Sequence, residues 1–218
     1  VRYVGGFLAQ EKRKEAAAVL KLAALAELST SILAYFVLVL LSGWGAAVFV
    51  KDPTTRSLFL IYGIAILGNV MAETATGALH VTGHFRSQAL LNLFQSILTA
   101  GLFLMVFLNK GGIFAVMLVY LAGKMVLGIG PVLLALHWLP QSLGKNWWRT
   151  PMSGNLPDRK EMVRFAVNSN FSSTVTILAR DSEVLWVSYF FDTSVAGYFK
   201  VALAVINLMV MPITPFIS

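Results

Sequence analysis

The stretch IFAVMLVYLAGKMVLGIGPVLLALHWL, residues 113–139, carries a single Lys, Arg, Asp or Glu, Lys124. About 20 apolar residues cross about 30 Å of hydrocarbon as a helix. An amphipathic soluble helix would show a polar face in such a length, and this stretch has none. It predicts a transmembrane helix, and the rest of the chain follows the same rule. Further apolar runs cover 18–41, 57–79, 88–108 and 162–179, and another begins near Thr193 and continues to the last residue. The expected fold is all-α, a polytopic bundle of about six transmembrane helices.

Composition agrees. Of 218 residues, 57% are hydrophobic and 12% charged, and the mean hydropathy is +0.75. So few charges do not cover the surface of a water-soluble domain. Without cysteine, disulfides, thiolate metal sites and cysteine nucleophiles are excluded. The three histidines, His80, His84 and His137, make a metal site a poor expectation, and no cofactor is expected. The chain begins at Val1 without an initiator methionine and stops at Ser218 inside an apolar run, so it reads as an internal fragment of a longer chain.

Lys and Arg in the connections orient the helices, because positive residues resist translocation. One side gathers Arg2, Lys12, Arg13, Lys14, Arg86, Lys145, Arg149, Arg159, Lys160 and Arg164; the other holds only Lys51, Arg56, Lys110 and Arg180. The richer side is expected to be cytoplasmic. The net charge of +7 is explained by this bias, and no nucleic-acid partner is expected, since the charges are not interleaved with aromatics on one soluble face. Some of them also suit anionic headgroups of membrane lipids. The turn after residue 179 gathers Asp181, Glu183 and Asp192, which makes the opposite rim acidic there.

The one long connection, 140–161, holds Trp147 and Trp148. The pair either anchors the loop at the membrane interface or touches a lipid substrate.

Ionisable residues within spans mark where chemistry is to be sought, because one at a helix centre costs about 3 kcal/mol even on the mildest scale. Lys124 is the deepest, followed by Gly128, Gly130 and Pro131 as an expected kink. It faces a central cavity or pairs with Glu73, itself a candidate coupling-ion carboxylate or half of an ordinary buried pair. Lys21 and Glu27 belong to the first turns of their helix, where a lysine snorkels to the headgroups. Arg180 and Glu183 form a gate or are simply solvated, and Lys200 adds positive charge two turns into the last helix. Asn168, Asn170 and Thr174 make the 162–179 helix the most polar; they line a vestibule or hydrogen-bond between helices. No phosphate loop, HExxH or GxSxG is present. Transport, not catalysis, is the expected class.

Several stretches carry a family resemblance. Residues 161–166 (EMVRFA), 180–191 (RDSEVLWVSYFF), 195–202 (VAGYFKVA) and Met211-Pro212 resemble the seventh and eighth helices of polysaccharide-biosynthesis membrane proteins, the O-antigen and oligosaccharide flippases of the multidrug/oligosaccharidyl-lipid/polysaccharide superfamily. Glu183 stands at the family's usual aspartate, and Gly197-Tyr198 and Ala202 match. Phe199 and Lys200 depart from it, so Lys200 inherits no role. Gly83-His84-Phe85-Arg86 is similar to the turn after the family's fourth helix, with His84 replacing the usual arginine.

The resemblance implies a MATE-like flippase fold of about twelve to fourteen helices. Residues 1–139 would be helices three to six of a first lobe, 140–161 the cytoplasmic inter-lobe loop, and 162–218 the start of a second lobe. It implies a multi-pass protein of the bacterial cytoplasmic (inner) membrane that moves undecaprenyl-diphosphate-linked oligosaccharide, for O-antigen, lipopolysaccharide or exopolysaccharide, between leaflets by alternating access. A coupling ion, H+ or Na+, is an expected partner beside the lipid-linked substrate. A small-molecule efflux transporter of the same fold, coupled through Glu73, and a membrane enzyme of polysaccharide assembly are the rivals. The enzyme would need a large outer loop, whereas the outer connections read as short turns.

Overall fold

The computed structural model describes residues 2–152, 164 and 182–210, and these are helical almost throughout. In chain order they form α1 (Arg2–Ala9), α2 (Arg13–Gly45) running into a π turn (Ala46–Val50), a short 3-10 turn (Pro53–Thr55), α3 (Arg56–Gly68), α4 (Ala72–Val81), α5 (Phe85–Leu108), α6 (Ile113–Leu143), a second 3-10 turn (Trp147–Arg149), α7 (Glu183–Phe190) and α8 (Thr193–Val210). No strand occurs among the described residues. Among the described residues, five helical segments are long and apolar enough to cross a membrane: Arg13–Val50, Pro53–Val81, Phe85–Leu108, Ile113–Leu143 and Thr193–Val210. The protein is an all-α, multi-pass membrane protein. Apart from Arg164, the span expected over 162–179 lies outside the described residues, with Arg180, Asn168 and Asn170.

In lipid the outside of a bundle is apolar, because every backbone polar group is satisfied within its own helix and the solvent is hydrocarbon. Accordingly Leu90, Ile97 and Leu104 of α5 are exposed, and Phe107 is 78% exposed. Much of what is buried is small: Ala16–Ala18, Ala75, Ala78 and Ala135 let backbones approach, beside a few larger side chains such as Leu79 and Leu139.

The chain divides into two compact units, residues 1–40 with 57–159 and residues 41–56 with 160–218. In the first, α6 packs against both α4 and α5. At 31 residues it measures about 46 Å, longer than the hydrocarbon is thick. It meets α5 through the turn Asn109 to Gly112, where Lys110 adopts φ 51°. Gly63 of α3 lies against Tyr35 and Leu38 of α2.

In the second unit the π turn docks on α7. The Ser188 hydroxyl donates to the Phe49 carbonyl at 2.6 Å, and the Lys51 ammonium donates to the Phe191 carbonyl at 2.9 Å. Trp44, Phe49 and Tyr189 continue this contact as edge-to-face rings. Lys51 itself is left-handed, φ 58°, and ends the helix. Asp52 then accepts from the Thr54 amide at 2.9 Å and its hydroxyl at 2.7 Å. Those two bonds hold its carboxyl below the usual value of 3.8. Asp192 caps α8 in the same way, accepting from the Val195 amide at 2.8 Å.

Two expectations are corrected. The run 57–79 is not one helix: it breaks between Gly68 and Ala72 into α3 and α4. The connection between 179 and 193 is not a short turn, because Glu183–Phe190 is helical. Its apolar sequence EVLWVSYF buries Ser188 against the π turn and leaves Trp186 and Phe190 exposed and stacked at 6.1 Å.

Candidate functional site

The break between α3 and α4 falls in the middle of a membrane span, where unpaired backbone groups have no water to turn to. Gly68 ends α3, and the Asn69 side-chain amide donates back to the Ala65 carbonyl at 2.7 Å and across to the Lys124 carbonyl of α6 at 3.4 Å. Beyond it α4 begins at Ala72 with Met71 before it, and Met71 offers no side-chain cap. The first N–H groups of α4 would be orphans. The cap comes from another helix: the Glu27 carboxylate of α2 accepts from the Glu73 amide and from the Thr74 amide, each at 3.0 Å. A carboxylate receiving two amides at a helix N-terminus forms charge-assisted bonds and meets the positive end of the helix dipole.

Three glycines of α6 bring its backbone close to neighbours, Gly128 at this break and Gly123 and Gly130 at α5. The Gly128 position has no room for a Cβ, because the Gly68 carbonyl already occupies that space. A Cβ at Gly123 would lie 2.7 Å from the Thr99 hydroxyl, and one at Gly130 would lie 2.6 Å from Leu91. Opposite them α5 carries a polar stripe at spacings of four, three and four residues, Gln88, Asn92, Gln95 and Thr99. These residues pair along their own helix. The Gln95 amide donates to the Thr99 hydroxyl at 2.9 Å, the Gln88 amide donates to the Asn92 side chain at 3.3 Å, and the Ser96 hydroxyl donates to the Asn92 carbonyl at 2.9 Å. The Gln88 Oε1 is buried without a partner among the described residues.

Lys124 stands at this level between Gly123, which faces α5, and Met125, whose side chain lies on Gly68. Its own side chain is exposed. Glu73, in the first turn of α4, is exposed as well. Among the described residues no hydrogen bond or ion pair joins these two side chains, although their helices, α4 and α6, pack against each other. In the second unit Glu183 opens α7 and Lys200 lies two turns into α8, both exposed.

Lys21 does not reach free for the headgroups. Its ammonium donates to the carbonyls of Trp148 and Thr150 and pins the 3-10 turn to α2. Trp147 is half-buried below that turn, while Trp148 is exposed with the Arg149 guanidinium 4.6 Å above its ring. His84 stacks on Trp138 at 4.5 Å, and its Nδ1 lies 3.0 Å from the Thr82 hydroxyl. Among the described residues no three His, Asp or Glu side chains converge as a metal site would require.

Reading the charges alone missed Asn69, the α5 stripe and the role of Glu27. Gly68-Asn69 inside an apolar run is a breaker signal, and the four-three-four spacing of the α5 polar residues was visible as one helix face.

A family model described as polysaccharide biosynthesis protein matches residues 4–218. No curated protein and no solved structure matches the chain.

Proposed function

Because the chain belongs to the polysaccharide biosynthesis protein family, we propose that it is a flippase. In this reading it carries undecaprenyl-diphosphate-linked oligosaccharide across the bacterial cytoplasmic membrane by alternating access, with no catalytic step. One observation supports this most: an exposed Lys124, without a hydrogen-bond or ion-pair partner among the described residues, at mid-depth of an apolar helix. A lysine there costs about 3 kcal/mol unless it faces water or an anion. A central aqueous cavity in the full transporter relieves that cost, and a diphosphate passing through it is the complementary charge. The polar layer formed by Asn69, Gln95, Thr99 and the break in the helix suits such a lumen, since irregular backbone at membrane depth is tolerated where it lines a cavity.

The test is polysaccharide display by cells whose full-length transporter carries Lys124→Ala, with membrane insertion checked in parallel. Loss of surface polysaccharide with normal insertion is expected, and Lys124→Arg should restore most of it. Undiminished display removes Lys124 from the mechanism.

The exposed Glu73 favours a second reading, cation-coupled efflux of a small molecule. Drug accumulation that rises in a Glu73→Gln strain with normal surface polysaccharide would select it.

A further inference from the structure

Within the first unit, α2, α4 and α6 enclose a partly open cavity of about 100 Å³. Its walls are almost wholly apolar: Leu20 and Ala24 from α2, Met71 just before α4 and Ala75 within it, Val132 and Leu136 from α6. Trp147 and Lys21 also line it. An apolar hollow of this kind does not hold ordered water, which needs two or more polar partners. Neither sugar hydroxyls nor a nucleotide would find hydrogen bonds there.

The lining and its rim differ in character. Lys21 spends two of its three N–H donors on the Trp148 and Thr150 carbonyls, which leaves one donor and a full positive charge. Arg149 and Lys145 are exposed on the adjoining turn, and Trp148 is an amphipathic ring of the type that settles at headgroup level. Apolar hollow, cationic rim and interfacial tryptophan together match one kind of molecule, an alkyl chain ending in a phosphate.

We propose that this cavity is a binding site for an anionic phospholipid, with one acyl chain between α2, α4 and α6 and the phosphate against Lys21 and Arg149. A zwitterionic phospholipid carries its own cation beside the phosphate and gains less from this rim. The bound chain lies on Met71 and Ala75, the start of α4, so it supports the half-helix whose N-terminus Glu27 holds. The proposal stands apart from the transport reading and needs no cargo.

Full-length protein in a neutral detergent is titrated with phosphatidylglycerol or phosphatidylcholine while its melting temperature is followed. Phosphatidylglycerol should raise Tm by about 3 °C more than phosphatidylcholine. Ala24→Phe, which fills the cavity, should abolish the response to both lipids. Lys21→Met should abolish the preference between them, and Arg86→Gln, outside the cavity, should leave it intact. A full response in Ala24→Phe, or an unchanged preference in Lys21→Met, overturns the site. A larger shift with undecaprenyl phosphate than with phosphatidylglycerol overturns the phospholipid as occupant and assigns the cavity to a prenyl tail. Unmodified protein gives an independent reading: phosphatidylglycerol bearing a photoreactive group on its acyl chain should label peptides 71–78 and 132–139. Labelling confined to the exposed face of α5 would refute the proposal.

Discussion

Helix α5 and the α3–α4 pair are transmembrane stretches of similar length with polar residues in mid-span, yet one runs unbroken and the other stops and restarts. In α5 the polar side chains pair with residues one turn away, Gln95 with Thr99 and the Gln88 amide N–H with Asn92, so the backbone ladder is untouched. In α3–α4 the backbone itself is interrupted: freed amides of α4 are satisfied by Glu27 of α2, and the Asn69 side chain tethers the break to the Lys124 carbonyl of α6. A polar side chain in a membrane can be looked after locally, but a broken backbone needs its neighbours. Disturbance should therefore spread from the break and stay local in α5.

The largest effect is expected at the cap. Glu27→Ala leaves two amides of α4 without their acceptor, at about 1–3 kcal/mol each, and faster hydrogen exchange at 72–76 should accompany the lower stability. Glu27→Gln, which can still accept through one oxygen, should fall between. If exchange at 72–76 were unchanged in Glu27→Ala, the cap would be dispensable and the contrast with α5 would collapse. Next comes Gly128→Ala, whose Cβ must displace the Gly68 carbonyl. Overpacking of this kind costs about 1–3 kcal/mol, and it should separate α6 from the break, read as accessibility of a cysteine introduced at Asn69. The smallest effect belongs to α5. The double change Gln95→Leu with Thr99→Val removes both partners of one bond within a helix and should alter stability by about 0.6 kcal/mol, the mean for side-chain hydrogen bonds between membrane helices. A loss as large as that of Glu27→Ala would show that the α5 stripe serves more than its own helix.

Much of the architecture was legible beforehand. The runs that became α2, α5, α6 and α8 are long, apolar and bounded by Gly, Asn or Pro, and lipid imposes one simple demand, an unbroken helix of sufficient length. Ends moved by a few residues, as where α6 continues from Leu139 to Leu143. Lys124 and Glu73 stood out because charge in a span is rare, and both are exposed in the structure. Glu27 reads from the sequence only as a residue in the first turns of its helix, because nearness to the chain's polar end is a property of position in sequence. Its bond to α4 spans 46 residues and carries no local signature.

The family match over 4–218 accords with the resemblance carried by residues 161–216 and by the Gly83 to Arg86 turn. Multi-pass membrane character and helix spans were determined by the sequence alone, since hydrophobicity and length are summed along the chain. Where the second of those spans breaks, and what replaces its lost hydrogen bonds, was decided only in three dimensions. Gly68-Asn69 permits a break, but a permitted break becomes a stable one only when Gly128 admits the turned backbone and Glu27 arrives to accept its amides.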